Sequence, residues 1–291
     1  MLSMISMEAA LGEIQAIAET RVLKAESRPL QQAVGQVLAE PSIAALAIPP
    51  FRNSARDGFI VSADVLGSDE SWPVIGEIRA GDTLEQAEDV KGPVARIMTG
   101  APIPSWGVAV VMLEHVEVDN EHARFQQPIE AGSWMREQGS DIAAGQVILS
   151  AGRRLIAEHV QALASSGVTD VVVHRRPRVG VCSTGEELVA LESGIPGSGQ
   201  IYDSNRPFMQ AQMQAYGCDL VVSEHVGDTL DAMTGFLHRV MDESLDLVVS
   251  SGAVSMGRYD FVKPALEAVG AEIVFHKVMQ KPGKPLLFAV L

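Results

Sequence analysis

Val179-Gly180-Val181-Cys182-Ser183-Thr184-Gly185-Glu186-Glu187 is an apolar run of strand length that ends in small hydroxylated residues, a glycine and two acids. Further apolar runs follow at 220–222 and 245–250, and stretches with helical character separate them at 206–216 and 230–242. Another helix is expected at 261–268 and another strand at 272–275. Strands and helices in alternation predict a parallel sheet covered on both faces, with right-handed crossovers. The region from 177 to 291 therefore reads as an α/β domain. Its last run, Pro285-Leu286-Leu287-Phe288-Ala289-Val290-Leu291, is strand-like and apolar. An uncovered apolar strand invites association, so the expectation is a neighbour that covers it or a chain shortened from something longer.

Upstream the pattern changes twice. Leu30, Ala33, Val34, Val37 and Leu38 follow helical spacing, and the first 46 residues read as helical up to Pro41. Residues 48–138 are rich in Pro and Gly, with short apolar runs. Residues 108–113 read as a buried strand. Val116-Glu117-Val118, the turn Asp119-Asn120-Glu121, and Ala123-Arg124-Phe125 read as a hairpin. This stretch is expected to be a barrel or sandwich. Residues 139–154 read as turn, strand, turn. Residues 156–166 read as a helix with Ile156, Val160 and Leu163 on one face, packing back on the N-terminal helices. The expected division is a split helical or linker domain (1–46 and 139–176), an inserted β-rich domain (47–138) and the α/β domain (177–291).

Composition narrows the function. The 291 residues carry 22 Lys+Arg against 37 Asp+Glu, a net charge of −15. That balance argues against a nucleic-acid partner, whose phosphates require Lys and Arg. A small anionic ligand remains compatible, because a local lysine cluster outweighs a global field. With 47% hydrophobic and 20% charged residues, the chain is not a disordered one. No apolar run approaches the ~18–20 residues of a membrane span, and residues 1–15 do not resemble a secretory signal. The two cysteines, Cys182 and Cys218, cannot form a disulfide framework. A cytoplasmic, reduced protein without a membrane partner is expected.

Several loops carry candidate chemistry. Ser250-Ser251-Gly252-Ala253-Val254-Ser255-Met256-Gly257 follows a strand and precedes a helix, where backbone N–H groups favour anions. Asp260, near that helix start, is either a cap or a functional carboxylate. Ser183-Thr184-Gly185 gives a ligand backbone access, and Glu186 and Glu187 suit a cation or are solvated acids. Lys277, Lys281 and Lys284 surround a Pro-Gly turn and suit oxyanions. Asp57-Gly58 is a turn signal, and Thr99-Gly100-Ala101-Pro102 is a stiff loop with one hydroxyl. No His spacing fits a zinc site, and the cysteines read as small core residues.

Taken in order, seven segments form a series: Pro50 to Phe59, Met98 to Pro102, Gly139 to Ile142, Ser183 to Leu188, Ile201 to Asn205, Ser250 to Asp260, and Lys281 to Pro285. This series resembles the molybdopterin molybdenumtransferases, the MoeA and gephyrin E-domain family, over nearly the whole chain. The resemblance implies an elongated homodimer with a split first domain, an inserted β-rich domain and a molybdopterin-binding α/β domain, here without the family's fourth, β-rich domain. It implies that molybdate is inserted into adenylylated molybdopterin with release of AMP, assisted by Mg²⁺ or another divalent cation. A molybdopterin adenylyltransferase is the implied candidate partner. Catalytic positions map to Asp57, Thr99, Asp141, Glu187, Asp228 and Asp260. The resemblance implies that Asp228 and Asp260 hold the metal or orient an attacking oxygen. Ser183, Thr184, Gly185, Ser251, Gly252, Lys277, Lys281 and Lys284 are the binding residues. Asp57 and Thr99 are implied to act from the partner subunit. Arg56 stands where the family's motif has Met, and Ala253 replaces the second Gly of its SGGVS loop. A binding or scaffold relative that does not transfer metal is the alternative reading.

Overall fold

A computed structural model describes residues 2–252 and 261–291 of the chain. Residues 1–26 with 174–291 form one compact unit and residues 27–173 another.

In the first unit, the strands Arg178–Thr184, Asp219–Val226 and Leu247–Ser251 form a parallel sheet with Arg178–Thr184 in the centre. The alternation of the sequence is thus realised. The helices Asn205–Ala215 and Leu230–Asp242 are the crossovers between these strands. Thr229 caps the second helix by accepting from the Ala232 N–H at 3.2 Å. Met233, Phe236, Leu237 and Val240 share one face of that helix and pack with Cys182, Val226, Val262, Ala265 and Leu266. Helix Asn205–Ala215 has no buried residue. Its Gln210 side chain donates to Ser223 on the sheet at 2.6 Å.

The expected strand after Ala271 exists but belongs elsewhere. Glu272–Val278 pairs in parallel with Leu2–Ile5 and antiparallel with Leu287–Val290 in a separate sheet. Phe275 and Val278 are buried against Ala10 of the helix Met7–Thr20, with Phe288 beside them. A period-2 pattern specifies which face of a strand is buried, but not which strands flank it.

The second unit holds one six-stranded sheet in the order 109–112, 58–61, 94–97, 72–78, 122–125 and 116–119. Its strands are antiparallel except for the parallel pair 72–78 and 94–97. The predicted hairpin is present: Val116–Asp119 faces His122–Phe125, and Asn120 and Glu121 turn at φ 47° and 60°. Two left-handed residues match the right-handed strand twist. Ile60, Ile78, Ala95, Ile97 and Val110 make one apolar cluster, and Phe59, Val61, Val94 and Ala109 make another.

The N-terminal helix reading needs correction. Residues 7–20 are helical, but 2–5 and 25–29 are strands and 30–32 are a single 3₁₀ turn. Gly35 at φ 88° interrupts the helical spacing that follows Leu30. Leu30, Ala33 and Leu38 are buried with Leu155, Leu163, Val171 and Val173, whereas Val34 and Val37 are exposed. Helix Ala157–Ser165 thus packs beside a turn, not a helix, and Ile156, the residue before it, is exposed.

Candidate functional site

The carboxyl ends of the three parallel strands converge through their register. Ser183 is paired with His225 on one side and Ser251 on the other. The first crossover leads from the central strand to one neighbour and the second returns across it to the other, and ligands of open α/β sheets bind at such a switch point.

Two glycines keep this region open. Gly252 has φ 101°, and a Cβ there would lie 2.5 Å from both the carbonyl oxygen and the hydroxyl of Thr184. Gly185 has φ 143° and faces the Glu187 carboxylate. Among the described residues, Thr184 Oγ1 and one Asp228 carboxylate oxygen, Oδ1, are buried without a hydrogen-bond partner. The other oxygen, Asp228 Oδ2, accepts from the Glu186 N–H at 3.2 Å. Unpaired buried acceptors at a strand-end loop mark a place for a donor or a cation.

Ser183 itself is fully buried, and its hydroxyl donates to Asp203 Oδ2 at 2.5 Å. Arg206 binds Asp203 through Nε at 2.8 Å and through its backbone N–H at 3.1 Å. Burial pushes the Asp203 pKa up, but the hydrogen bonds from Ser183 and Arg206 outweigh it and hold the carboxyl below its ordinary value. Asn205 donates to the Ser251 hydroxyl at 2.8 Å. Residues 203–206 therefore fasten the start of a helix to two strand ends at once. Asp203, Asn205 and Arg206 are not among the site residues expected from the sequence. Their signal was the Tyr202-Asp203-Ser204-Asn205 run itself. Burial pushes the Cys182 thiol up to about 12, so it stays protonated and belongs to the core.

Lys277 lies in strand Glu272–Val278, while Lys281 and Lys284 are exposed in the loop that follows. The Val278 N–H donates to the Lys284 carbonyl at 3.0 Å and closes that loop. Neither the Lys281 nor the Lys284 ammonium is in an ion pair among the described residues. Asp260 and Ala253 lie outside the described residues. No group of three or more His, Cys, Asp or Glu suited to a metal occurs among the described residues.

Asp57 and Thr99 come together in the second unit. Asp57 Oδ1 accepts from the Thr99 N–H at 2.7 Å and from its hydroxyl at 2.8 Å. The backbone and then the side-chain hydrogen bond from Thr99 lower the Asp57 pKa. Asp57-Gly58 is not a turn. Gly58 begins a strand, and a Cβ on it would overlap the Val111 carbonyl. Asp141 is elsewhere in this unit, bound to the Arg136 guanidinium and to the Ser140 hydroxyl at 3.2 Å. Arg56 stacks over the Trp134 ring, 5.0 Å from its centroid.

Comparison with known proteins places these features in a family. Residues 5–167 match the MoeA N-terminal region (domain I and II), and residues 180–291 match a probable molybdopterin binding domain. This chain belongs to the MoeA family. Among its MoeA-family relatives, the molybdopterin molybdenumtransferase of Synechococcus elongatus is 35% identical over 92% of this chain and 68% of that protein. The one from Haemophilus influenzae is 36% identical over 90% of this chain and 64% of that protein. For the Nostoc protein of the same name the figures are 36%, 89% and 60%. The chain thus spans about two thirds of the length of these relatives. Two crystal structures of the molybdopterin biosynthesis MoeA protein from Pyrococcus horikoshii align with TM-scores of 0.79 and 0.76. They are 27% and 26% identical, cover 99% and 91% of this chain, and are themselves covered to 72% and 66%. Among the described residues of this MoeA-family chain, no helix is long and apolar enough to cross a membrane.

Proposed function

We propose that this chain acts in molybdenum cofactor biosynthesis, inserting molybdate into adenylylated molybdopterin with release of AMP. The observation that carries the reading is the strand-end loop, where Thr184 Oγ1 and Asp228 Oδ1 are buried without partners between two glycines that admit a ligand. In this reading the backbone at Gly185 and Gly252 lies against the pterin nucleotide, and Thr184 and Ser251 supply hydroxyls. Lys277, Lys281 and Lys284 neutralise phosphate and molybdate oxygens. Glu187 supports the adenylate or pterin end.

The unpartnered Asp228 Oδ1 suits a Mg²⁺ ion, which takes one or two carboxylates and completes its shell with phosphate oxygens and water. Asp228 would hold it through Oδ1, and the family resemblance adds Asp260. A bound Mg²⁺ would supply charge neutralisation at the phosphoanhydride. Asp228 keeps its other oxygen on the Glu186 N–H, which fixes the carboxylate's direction.

Asp57, Thr99 and Asp141, which belong to the other compact unit, serve the reaction from the second subunit of a homodimer in this reading, as the family resemblance implies. Ile195, Phe208 and Tyr216 are exposed apolar side chains, consistent with association. The three-domain division, a cytoplasmic location and supply of substrate by a molybdopterin adenylyltransferase complete the proposal. The free thiols Cys182 and Cys218 suit a reducing compartment.

A single-turnover reaction with adenylylated molybdopterin, molybdate and Mg²⁺ tests it. AMP release with formation of active cofactor is the expected result. Binding without AMP release would support a scaffold instead, and no binding would overturn both readings.

A further inference from the structure

In the unit formed by residues 27–173, a cleft of about 590 Å³ is lined by Ser62, Asp64, Trp72, Glu88, Lys91 and Trp106, among others. It is remote from Asp57 and Thr99. The ladder of strands 58–61 and 94–97 pairs Gly58 with Ile97 at one end and Val61 with Val94 at the other. Asp57 and Thr99 flank the first end. Ser62 and Pro93 flank the second, joined by the Ser62 N–H to the Pro93 carbonyl at 2.8 Å. Asp57 and Ser62 are five residues apart along this extended strand, about 17 Å.

Three polar atoms of this cleft's side chains, Ser62 Oγ, Trp72 Nε1 and Trp106 Nε1, are buried without a hydrogen-bond partner. Among the described residues, two of the chain's three tryptophans, Trp72 and Trp106, are therefore in the same unusual condition at one cleft. A buried polar atom left unpaired is destabilising, and native structures leave few of them. Nearby, Glu88 is fixed by the Ser105 N–H at 2.5 Å and its hydroxyl at 2.9 Å.

We propose that this cleft binds a small polyhydroxylated ring, the chemistry shared by free sugars and the ribose of nucleosides. An indole N–H only donates, so each tryptophan requires an acceptor. Asp64 and Glu88 only accept, so each can take a further donor from a ligand. A ring hydroxyl does both, and the C–H face of the ring packs on indole. An anion would meet two carboxylates against the single Lys91 ammonium, and a cation would leave both indole N–H groups unmet. Binding that supplies these donors with acceptors changes the surroundings of both indoles.

The test is a tryptophan-fluorescence titration of the whole chain, repeated by calorimetry, with D-glucose, D-ribose and adenosine as probes. At least one probe should saturate. A response to the free sugars or to adenosine alone tells which source of the ring is accepted. Trp72→Phe and Trp106→Phe should each weaken binding roughly tenfold, the equivalent of one hydrogen bond at ~1.4 kcal/mol. Ser62→Ala should weaken it about threefold or more, and it decides the matter if either tryptophan variant fails to fold by circular dichroism. Asp57→Asn should leave binding unchanged. The proposal is overturned if no probe saturates, if the folded cleft variants bind as the parent does, or if Asp57→Asn abolishes the response.

Discussion

The Ser183 hydroxyl donates to Asp203 at 2.5 Å, and the two residues are 0% and 2% exposed. The strand-end loop therefore rests on an interior hydrogen bond. Asp203→Ala would leave both Ser183 and Arg206 without their acceptor, and should lower stability by roughly 2–4 kcal/mol. Denaturant unfolding would register this as a lower midpoint with an unchanged slope. The same bond fixes a pH dependence. The carboxyl pKa is lowered on folding, so its contribution is complete above the ordinary carboxylate range. It is lost as pH falls through the depressed folded value. Wild-type stability should show this acid loss, and Asp203→Ala should lack it.

Thr99→Ala removes one of the two donors that Thr99 offers Asp57 and leaves the backbone N–H in place. The Asp57 pKa should rise part of the way to its ordinary value, measurable by NMR titration of the side-chain carboxyl. AMP release should slow by about tenfold or more, the scale of one hydrogen bond to a charged group. An unchanged rate with a shifted pKa would separate Asp57 from the chemistry.

The two loop glycines should not be equally tolerant. Both have positive φ, but a methyl on Gly252 meets the Thr184 carbonyl, whereas one on Gly185 meets the end of a flexible carboxylate. Gly252→Ala should abolish binding of adenylylated molybdopterin and destabilise by more than the ~1–2 kcal/mol of left-handed strain. Gly185→Ala should keep weakened binding. Equal affinities in a binding titration would count against the strand-end site.

Chelation of Mg²⁺ should stop AMP release while leaving the melting temperature nearly unchanged, because a substrate-bridging ion is no part of the core. Asp228→Asn should raise the Mg²⁺ concentration needed for half-maximal rate by about tenfold or more. A rate that responds to neither treatment would remove the ion from the reading.

Much of this architecture was legible because it is local. The hairpin at 116–125 announces its turn, and the helices at 205–215 and 230–242 are bounded by strands whose apolar runs are contiguous. What failed was non-local or hidden in a similar period. Leu30, Ala33 and Leu38 keep helical spacing because a folded turn buries them, not a helix, and Gly35 is the one residue that signals the difference. At the site, Thr184, Gly185 and Gly252 were legible as a loop after a strand. Burial of Ser183 was not, because it depends on Asp203, twenty residues on, folding back over it. The Asp57–Thr99 pairing likewise spans 42 residues and exists only because two sheet strands are neighbours.

The ladder between Leu2–Ile5 and Glu272–Val278 has a consequence for biosynthesis. The strand Leu2–Ile5 has no pairing surface until some 270 further residues have been translated. This sheet can close only after that, and until then the segment stays available to chaperones or to misassembly.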